Sequence, residues 1–229
     1  MFALAETRRT RGTAHAEDSD GQQGSLGALV SQGPSSSSSI SSLLDSLDAS
    51  DSAAVEAAVE AVRASGALLS SRRVCLHTTI GDIHLELYWC HAPRACINFF
   101  LLAKTGCYDG TVFHRVCQGR WAQGGDPTGT GRGGVSIFGK SFVDEIHPEL
   151  RHTGAGVLTM ANHGPNTNTS QFILLLGPAP TLDGKSTIFG RVCGGIHTLK
   201  KLSLVQTTKT DRPLHDVKII RASVAESAD

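Results

Sequence analysis

From Val74 onward the chain consists of short β-prone runs closed by glycine, and this punctuation constrains the fold more than any other feature. Residues 74–79, the Gly81-Asp82 pair and residues 83–87, with Ile83, Leu85 and Leu87 on one face, read as a hairpin. Further strand-like runs lie at 112–116, 157–161, 172–176, 187–192 and 217–220. Two helices interrupt them. Residues 92–105 put Pro93 at the first helical position and Gly106 at the stop, with Ile97, Phe100 and Leu101 on one face, and a second helix covers 196–202. Many strands with few, separated helices predict a mainly β fold, a closed antiparallel barrel capped by helices.

The first 72 residues have another texture. They hold five Lys/Arg against nine Asp/Glu and an unbroken serine run at 35–39, a composition that buries little apolar surface. Within them, Ile40, Leu43, Leu44 and Leu47 recur at helical spacing, as do Ala54, Val55, Ala58, Val59 and Val62, with Asp51 placed to cap the second segment. The expected division is a low-complexity, largely disordered leader over 1–72 with possible short helices, a folded domain over 73–224 and a tail over 225–229. The leader is expected to be dispensable for the domain's stability. Arg8, Arg9 and Arg11 hint at an import peptide, but Glu6 and the acids from Glu17 onward argue for a plain leader and a nuclear or cytoplasmic protein.

Composition excludes several classes. The whole chain has 21 basic and 21 acidic residues, which gives no electrostatic case for nucleic acid. No apolar run approaches the roughly 20 residues of a membrane span. Six cysteines without a Cys-x-x-Cys pair and ten dispersed histidines suggest neither a disulfide framework nor a metal site, and no cofactor is expected. Gly129-Thr130-Gly131-Arg132-Gly133-Gly134 formally satisfies the dinucleotide fingerprint. It follows Asp126-Pro127 rather than a strand and opens no helix, so it reads as a tight loop on a barrel rim. Asp144-Glu145 reads as a solvated pair rather than a catalytic one, because adjacent strand residues point to opposite faces.

The chemistry-bearing residues sit in a few motifs. Phe113-His114-Arg115 is followed by Gln123-Gly124-Gly125-Asp126, Met160-Ala161-Asn162 and Ser170-Gln171-Phe172. A guanidinium stays charged at any physiological pH and only donates hydrogen bonds, so Arg115 cannot be a base. With Gln123, Asn162 and Gln171 able to hold an amide ligand, these residues point to stabilising a strained or charged geometry rather than to breaking a covalent bond.

At these motifs, and at Gly164-Pro165-Asn166-Thr167-Asn168 and Leu182-Asp183-Gly184-Lys185, the chain resembles the cyclophilins, peptidyl-prolyl cis-trans isomerases. The resemblance runs from about residue 74 to 222. Leu87-Tyr88-Trp89, Ala92-Pro93 and Asp211-Arg212-Pro213 are similar to the compact nuclear, spliceosome-associated branch. It implies an eight-stranded antiparallel barrel with two capping helices, and a shallow outer groove for X-Pro peptides. Arg115 is implied as the catalytic donor. Phe113, Gln123, Gly131, Ala161, Asn162, Gln171 and Leu182 are implied as substrate-binding, together with five positions where this chain differs from the family's usual residues. Arg120 and Trp121 stand for the usual Phe and Met, Ile173 for a second Phe, and Thr181 and Ser186 for the rim Trp and His. At Arg120 the expectation is a cation in or beside the proline pocket that weakens activity, the alternative being an outward Arg120 with Trp121 filling the pocket. The implied function is a monomeric isomerase of X-Pro bonds; the alternative is a non-catalytic proline-binding scaffold in a nuclear RNA-processing complex. Implied partners are proline-containing segments, spliceosomal proteins among them, with no nucleic acid and no membrane.

Overall fold

A computed structural model describes residues 37–65 and 72–226. Most of the leader, including its basic start, lies outside them. Eight antiparallel strands form one sheet in the order β3-β4-β6-β5-β7-β2-β1-β8. In chain order these are β1 (Arg72–Thr78), β2 (Gly81–Leu87), β3 (Arg115–Cys117), β4 (Trp121–Gly124), β5 (Val157–Met160), β6 (Phe172–Leu175), β7 (Ile188–Gly194) and β8 (Ile219–Glu226). The sheet closes between its outer members through the chain just before β3. The Gly110 amide donates to the Ile219 carbonyl (2.8 Å), the Ile219 amide to Thr111 (2.8 Å) and the Phe113 amide to Val217 (2.9 Å). Closure satisfies the backbone groups that an open edge would expose.

Alternation along the strands fills the interior. Val74, Leu76, Ile83, Leu85, Val116, Ala122, Leu158, Phe172, Leu174 and Phe189 belong to one buried apolar cluster. Helix α3 (Pro93–Lys104) packs on β7 and β8, and α4 (Ile196–Ser203) on β2, β3 and β4. Phe99 of α3 stacks edge-on against Phe172, with ring centroids 5.3 Å apart. Glu145 is no solvated partner of Asp144. Its carboxylate accepts the first α3 amides, from Arg94 (3.2 Å) and Ala95 (2.9 Å), where the helix dipole favours an anion.

Two helices precede the barrel, α1 (Ser37–Ser46) and α2 (Ser52–Ser65). Asp51 caps α2 through the Ala54 amide at 3.0 Å. Ile40 and Leu44 of α1, Leu47 just after it, and Val55, Ala58, Val59 and Val62 of α2 are buried in the same cluster as the barrel interior. Polar contacts fix them in place. Both carboxylate oxygens of Asp45 accept hydrogen bonds from the buried Arg72 guanidinium. Glu56 takes a bidentate pair from Arg94, at 2.8 and 2.6 Å. Residues 37–65 thus share the domain's core, where the expectation was a dispensable leader, and truncation tests what they contribute to stability. Helices this short are marginal alone and are held by tertiary packing.

Candidate functional site

Register brings the site together. Arg115 pairs with Gln123, and Cys117 with Trp121, across β3 and β4; Trp121 pairs with Leu175, and Gln123 with Ile173, across β4 and β6. Because side chains alternate, Val116, Ala122 and Leu174 point inward, and Arg115, Trp121, Gln123, Ile173 and Leu175 share the outer face. That face carries two adjoining regions, one apolar and one polar.

The apolar region is a separate cluster of Ala161, Ile173, Leu175 and Ala179, with Trp121 and Leu182 packed against it. Trp121 is half-buried, and its indole N–H finds no acceptor among the described residues. The turn residue Arg120 is exposed and lays its guanidinium over the indole, 4.3 Å from the ring centroid. The expectation of a desolvated cation inside the pocket is thereby corrected. The β3–β4 turn leaves Arg120 on the solvent side of Trp121, where its charge stays hydrated and its plane stacks on the ring. Thr181, in the 3₁₀ turn Pro180–Leu182, is exposed. Ser186, expected on the rim, is buried.

The polar region is a groove of about 440 Å³ lined by His114, Arg115, Gln123, Gly131, Asn162 and Arg212, among others. Arg115 is half-exposed, and its Nε and Nη2 donate to Asp211 Oδ2 at 3.2 and 3.1 Å. Its remaining donors are left for a ligand. Asp211 also accepts from the Cys117 thiol (3.1 Å), and the hydrogen bonds from Cys117 and Arg115 hold its carboxyl below the usual range. Gln123 donates to Gln171 Oε1 (2.8 Å), and Gln171 in turn to the Gly133 carbonyl (2.8 Å), which fixes both amides beside Arg115. Asn162 donates its side chain to the Lys185 carbonyl (2.8 Å). Gln171 is buried and orients Gln123 rather than facing the groove. Phe113 is also not a groove residue. It is buried in the interior, 6.1 Å from Phe172, because residues 112–113 belong to the closing segment and not to β3.

The glycine loop is organised by an internal anion. The fully buried Asp126 carboxylate accepts from the amides of Thr128 (2.8 Å), Thr130 (3.1 Å), Gly131 (2.6 Å) and Gly133 (3.2 Å), and from the Thr128 hydroxyl. Burial pushes its pKa up, but these hydrogen bonds outweigh that and carry it down to about 2. The amides that would cradle a phosphate are committed to the protein's own carboxylate. Gly133 has to be glycine, since a Cβ there would collide with Asp126 Oδ1. His114 and Asp211 were missed as site residues in the sequence. His114 is buried in the groove wall, and that burial keeps its imidazole below its ordinary pKa. No signal marks Asp211 except its place before Arg212-Pro213.

Comparison with known proteins agrees with this geometry. Residues 73–224 match the family model for cyclophilin type peptidyl-prolyl cis-trans isomerases. Over 157 residues the chain is 56% identical to peptidyl-prolyl cis-trans isomerase CYP18-2 of Arabidopsis thaliana, covering 69% of this chain and 96% of that protein. It is 59% identical over 149 residues to human peptidyl-prolyl cis-trans isomerase-like 1, covering 65% of this chain and 90% of that one. The crystal structure of a Cryptosporidium parvum cyclophilin type isomerase superposes with a TM-score of 0.67 at 40% identity, covering 69% of this chain and 99% of that chain. A second crystal structure of that protein was obtained in the presence of the dipeptide Ala-Pro. Helices α1 and α2 lie outside the matched residues. With barrel, outer groove and sequence in agreement, this chain belongs to the cyclophilin-type peptidyl-prolyl cis-trans isomerases.

Proposed function

We propose that the chain turns X-Pro bonds with Arg115 as the catalytic donor and the Trp121–Ile173–Leu182 cluster as the seat of the proline ring. The observation that carries the reading is the shared outer face: a guanidinium with spare donors stands beside an apolar wall and a fixed amide pair. Amide resonance sets a barrier of about 18–20 kcal/mol. As the bond twists, the prolyl nitrogen regains a lone pair that can accept a hydrogen bond. A donor aimed there binds the twisted state better than either planar one, which is what catalysis requires. One charged hydrogen bond contributes about 1.5–3 kcal/mol, or roughly ten- to a hundredfold in rate. Gln123 and the backbone at Asn162 hold the flanking carbonyls, and the proline wall supplies the remaining binding. With Arg120 outside the pocket, the case for weak activity narrows to the loss of aromatic rings at Ile173 and Thr181.

The second reading is a proline-binding scaffold in a nuclear RNA-processing complex. The substitutions at Ile173 and Thr181 favour it, because an apolar wall without its usual rings still binds proline. Isomerisation of a short X-Pro peptide by the full chain and by Arg115→Ala separates the two. The enzyme reading expects turnover in the parent and at least a tenfold fall in kcat/KM in the variant. Peptide binding without turnover in the parent establishes the scaffold instead. The Arg115–Asp211 ion pair is half-exposed, so the variant's melting temperature should change little.

A further inference from the structure

The outer face of β1 and β2, away from the groove residues, carries a second cluster of chemistry-bearing side chains. Cys75 and His77 stand two apart on β1 and so point the same way, while the hairpin register sets Asp82 directly opposite His77. Cys75 Sγ lies 3.8 Å from His77 Nδ1, and Asp82 Oδ1 lies 3.0 Å from the same nitrogen. All three atoms fall within 4.8 Å of one another. We propose that Cys75, His77 and Asp82 bind one zinc-class divalent cation, through Sγ, Nδ1 and Oδ1, with the fourth position open to water.

The dimensions fit. Zinc–sulfur, zinc–nitrogen and zinc–oxygen bonds of about 2.3, 2.0 and 2.1 Å in a tetrahedron separate S from N by roughly 3.5 Å and N from O by roughly 3.4 Å. The Sγ–Nδ1 and Nδ1–Oδ1 distances straddle these, and Sγ and Oδ1, within 4.8 Å, need to close to about 3.6 Å, a movement the half-exposed Asp82 side chain can make. The imidazole is also braced as a metal ligand needs to be. His77 Nε2 sits 2.9 Å from Ser223 Oγ on β8, so an Nε2–H donated to that hydroxyl leaves the Nδ1 lone pair facing the thiol and the carboxylate.

One thiolate, one imidazole and one carboxylate form a borderline donor set that suits zinc; magnesium and calcium prefer oxygen alone. Burial pushes the Cys75 thiol up to about 11, so the metal has to displace the thiol proton, which leaves to solvent as the S–M bond forms. Arg221, opposite His77 on β8, His84, opposite Cys75 on β2, and Cys193 on β7 also border the site. Cys75 is buried and Asp82 half-exposed, which gives an entry path from the hairpin side.

Cobalt(II) is the probe, titrated into the reduced full chain. One equivalent should produce a thiolate-to-cobalt charge-transfer band with intensified visible bands of four-coordination. Zinc should abolish both, and magnesium should not. Cys75→Ser should remove the charge-transfer band. Asp82→Asn, on the exposed hairpin end, should weaken cobalt at least tenfold while leaving circular dichroism and isomerase activity unchanged. Ser223→Ala should cost ten- to a hundredfold, as loss of a bracing partner does. No band in the parent overturns the proposal. So does a band that survives Cys75→Ser, which would place cobalt on the exposed Cys90, Cys107 or Cys193. An unchanged affinity in Asp82→Asn overturns it as well.

Discussion

Replacing Trp121 by alanine strips the apolar region of its one large ring, leaving Ala161, Ile173, Leu175, Ala179 and Leu182 to face a ligand. Seating a proline ring against an intact wall is worth about 1.5–3 kcal/mol of apolar burial. Losing most of that wall should raise the Kd of an X-Pro peptide roughly ten- to a hundredfold. Arg120 acts differently, because it stacks on the solvent side of the same indole. A cation over a ring at an exposed site contributes about 0.5–1 kcal/mol to local order, and Arg120→Phe exchanges one stacking partner for another. Peptide affinity in that variant should stay within about twofold of the parent. Isomerisation kinetics and calorimetric titration of one X-Pro peptide, on the parent and both variants, test the pair, with melting curves to establish folding. A several-fold gain in kcat/KM for Arg120→Phe would put the guanidinium inside the groove and refute the reasoning. Unchanged binding by folded Trp121→Ala would remove the indole from the proline seat.

Deleting residues 1–70 removes α1 and α2 and exposes the core face they cover. A net loss of only about 2 kcal/mol lowers Tm by roughly 4–8 °C for a domain of this size, and calorimetry of a chain starting near Ser71 reads it. An unchanged Tm would show that the two helices contribute nothing. Asp126 has a folded pKa near 2, below its unfolded value of 3.8, so its stabilisation is present above about pH 4 and is lost as pH falls towards 2. That shift amounts to about 2 kcal/mol, and acid unfolding followed by fluorescence should be shallower below pH 4 in Asp126→Asn than in the parent. Cyclosporin-type ligands, which in the cyclophilins lean on an indole at the position of the exposed Thr181, should bind weakly; nanomolar affinity by calorimetry would contradict this.

Periodicity made the barrel legible wherever a strand carries its own alternation, as β1 and β2 do. It failed at β4. Trp121-Ala122-Gln123-Gly124 has no β-branched residue and directly follows a turn; it is a strand because β3 and β6 pair with it on both sides. The run expected at 112–116 became a strand only at 115–117, since Val112 bridges Lys218 and Asp126 instead. That displacement also explains the misplacement of Phe113. In one continuous strand, residues 113 and 115 share a face, so Phe113 would have stood outward beside Arg115. The change of partner between the closing segment and β3 breaks the parity and turns Phe113 inward. The helical spacing of α1 and α2 was plain, but their docking was not. It depends on Arg72 and Arg94, whose partners Asp45 and Glu56 lie 27 and 38 residues away.

Asp211 shows where a motif-based reading of the site stops. Its carboxylate is the anion that holds Arg115, yet the two residues are 96 positions apart in the chain. The pairing exists because the Asp211 carbonyl accepts the Val116 amide at 2.7 Å, which pins the 208–213 turn to β3. The turn in turn holds Asp211 in the left-handed region, at φ 65°, where a short polar side chain is among the few that tolerate it. A cation with several donors, two of them committed to a fixed carboxylate, keeps its plane while the others reach the ligand. On the proposed mechanism the Arg115 donor is oriented by Asp211, and the Phe113-His114-Arg115 motif could name Arg115 without saying what aims it.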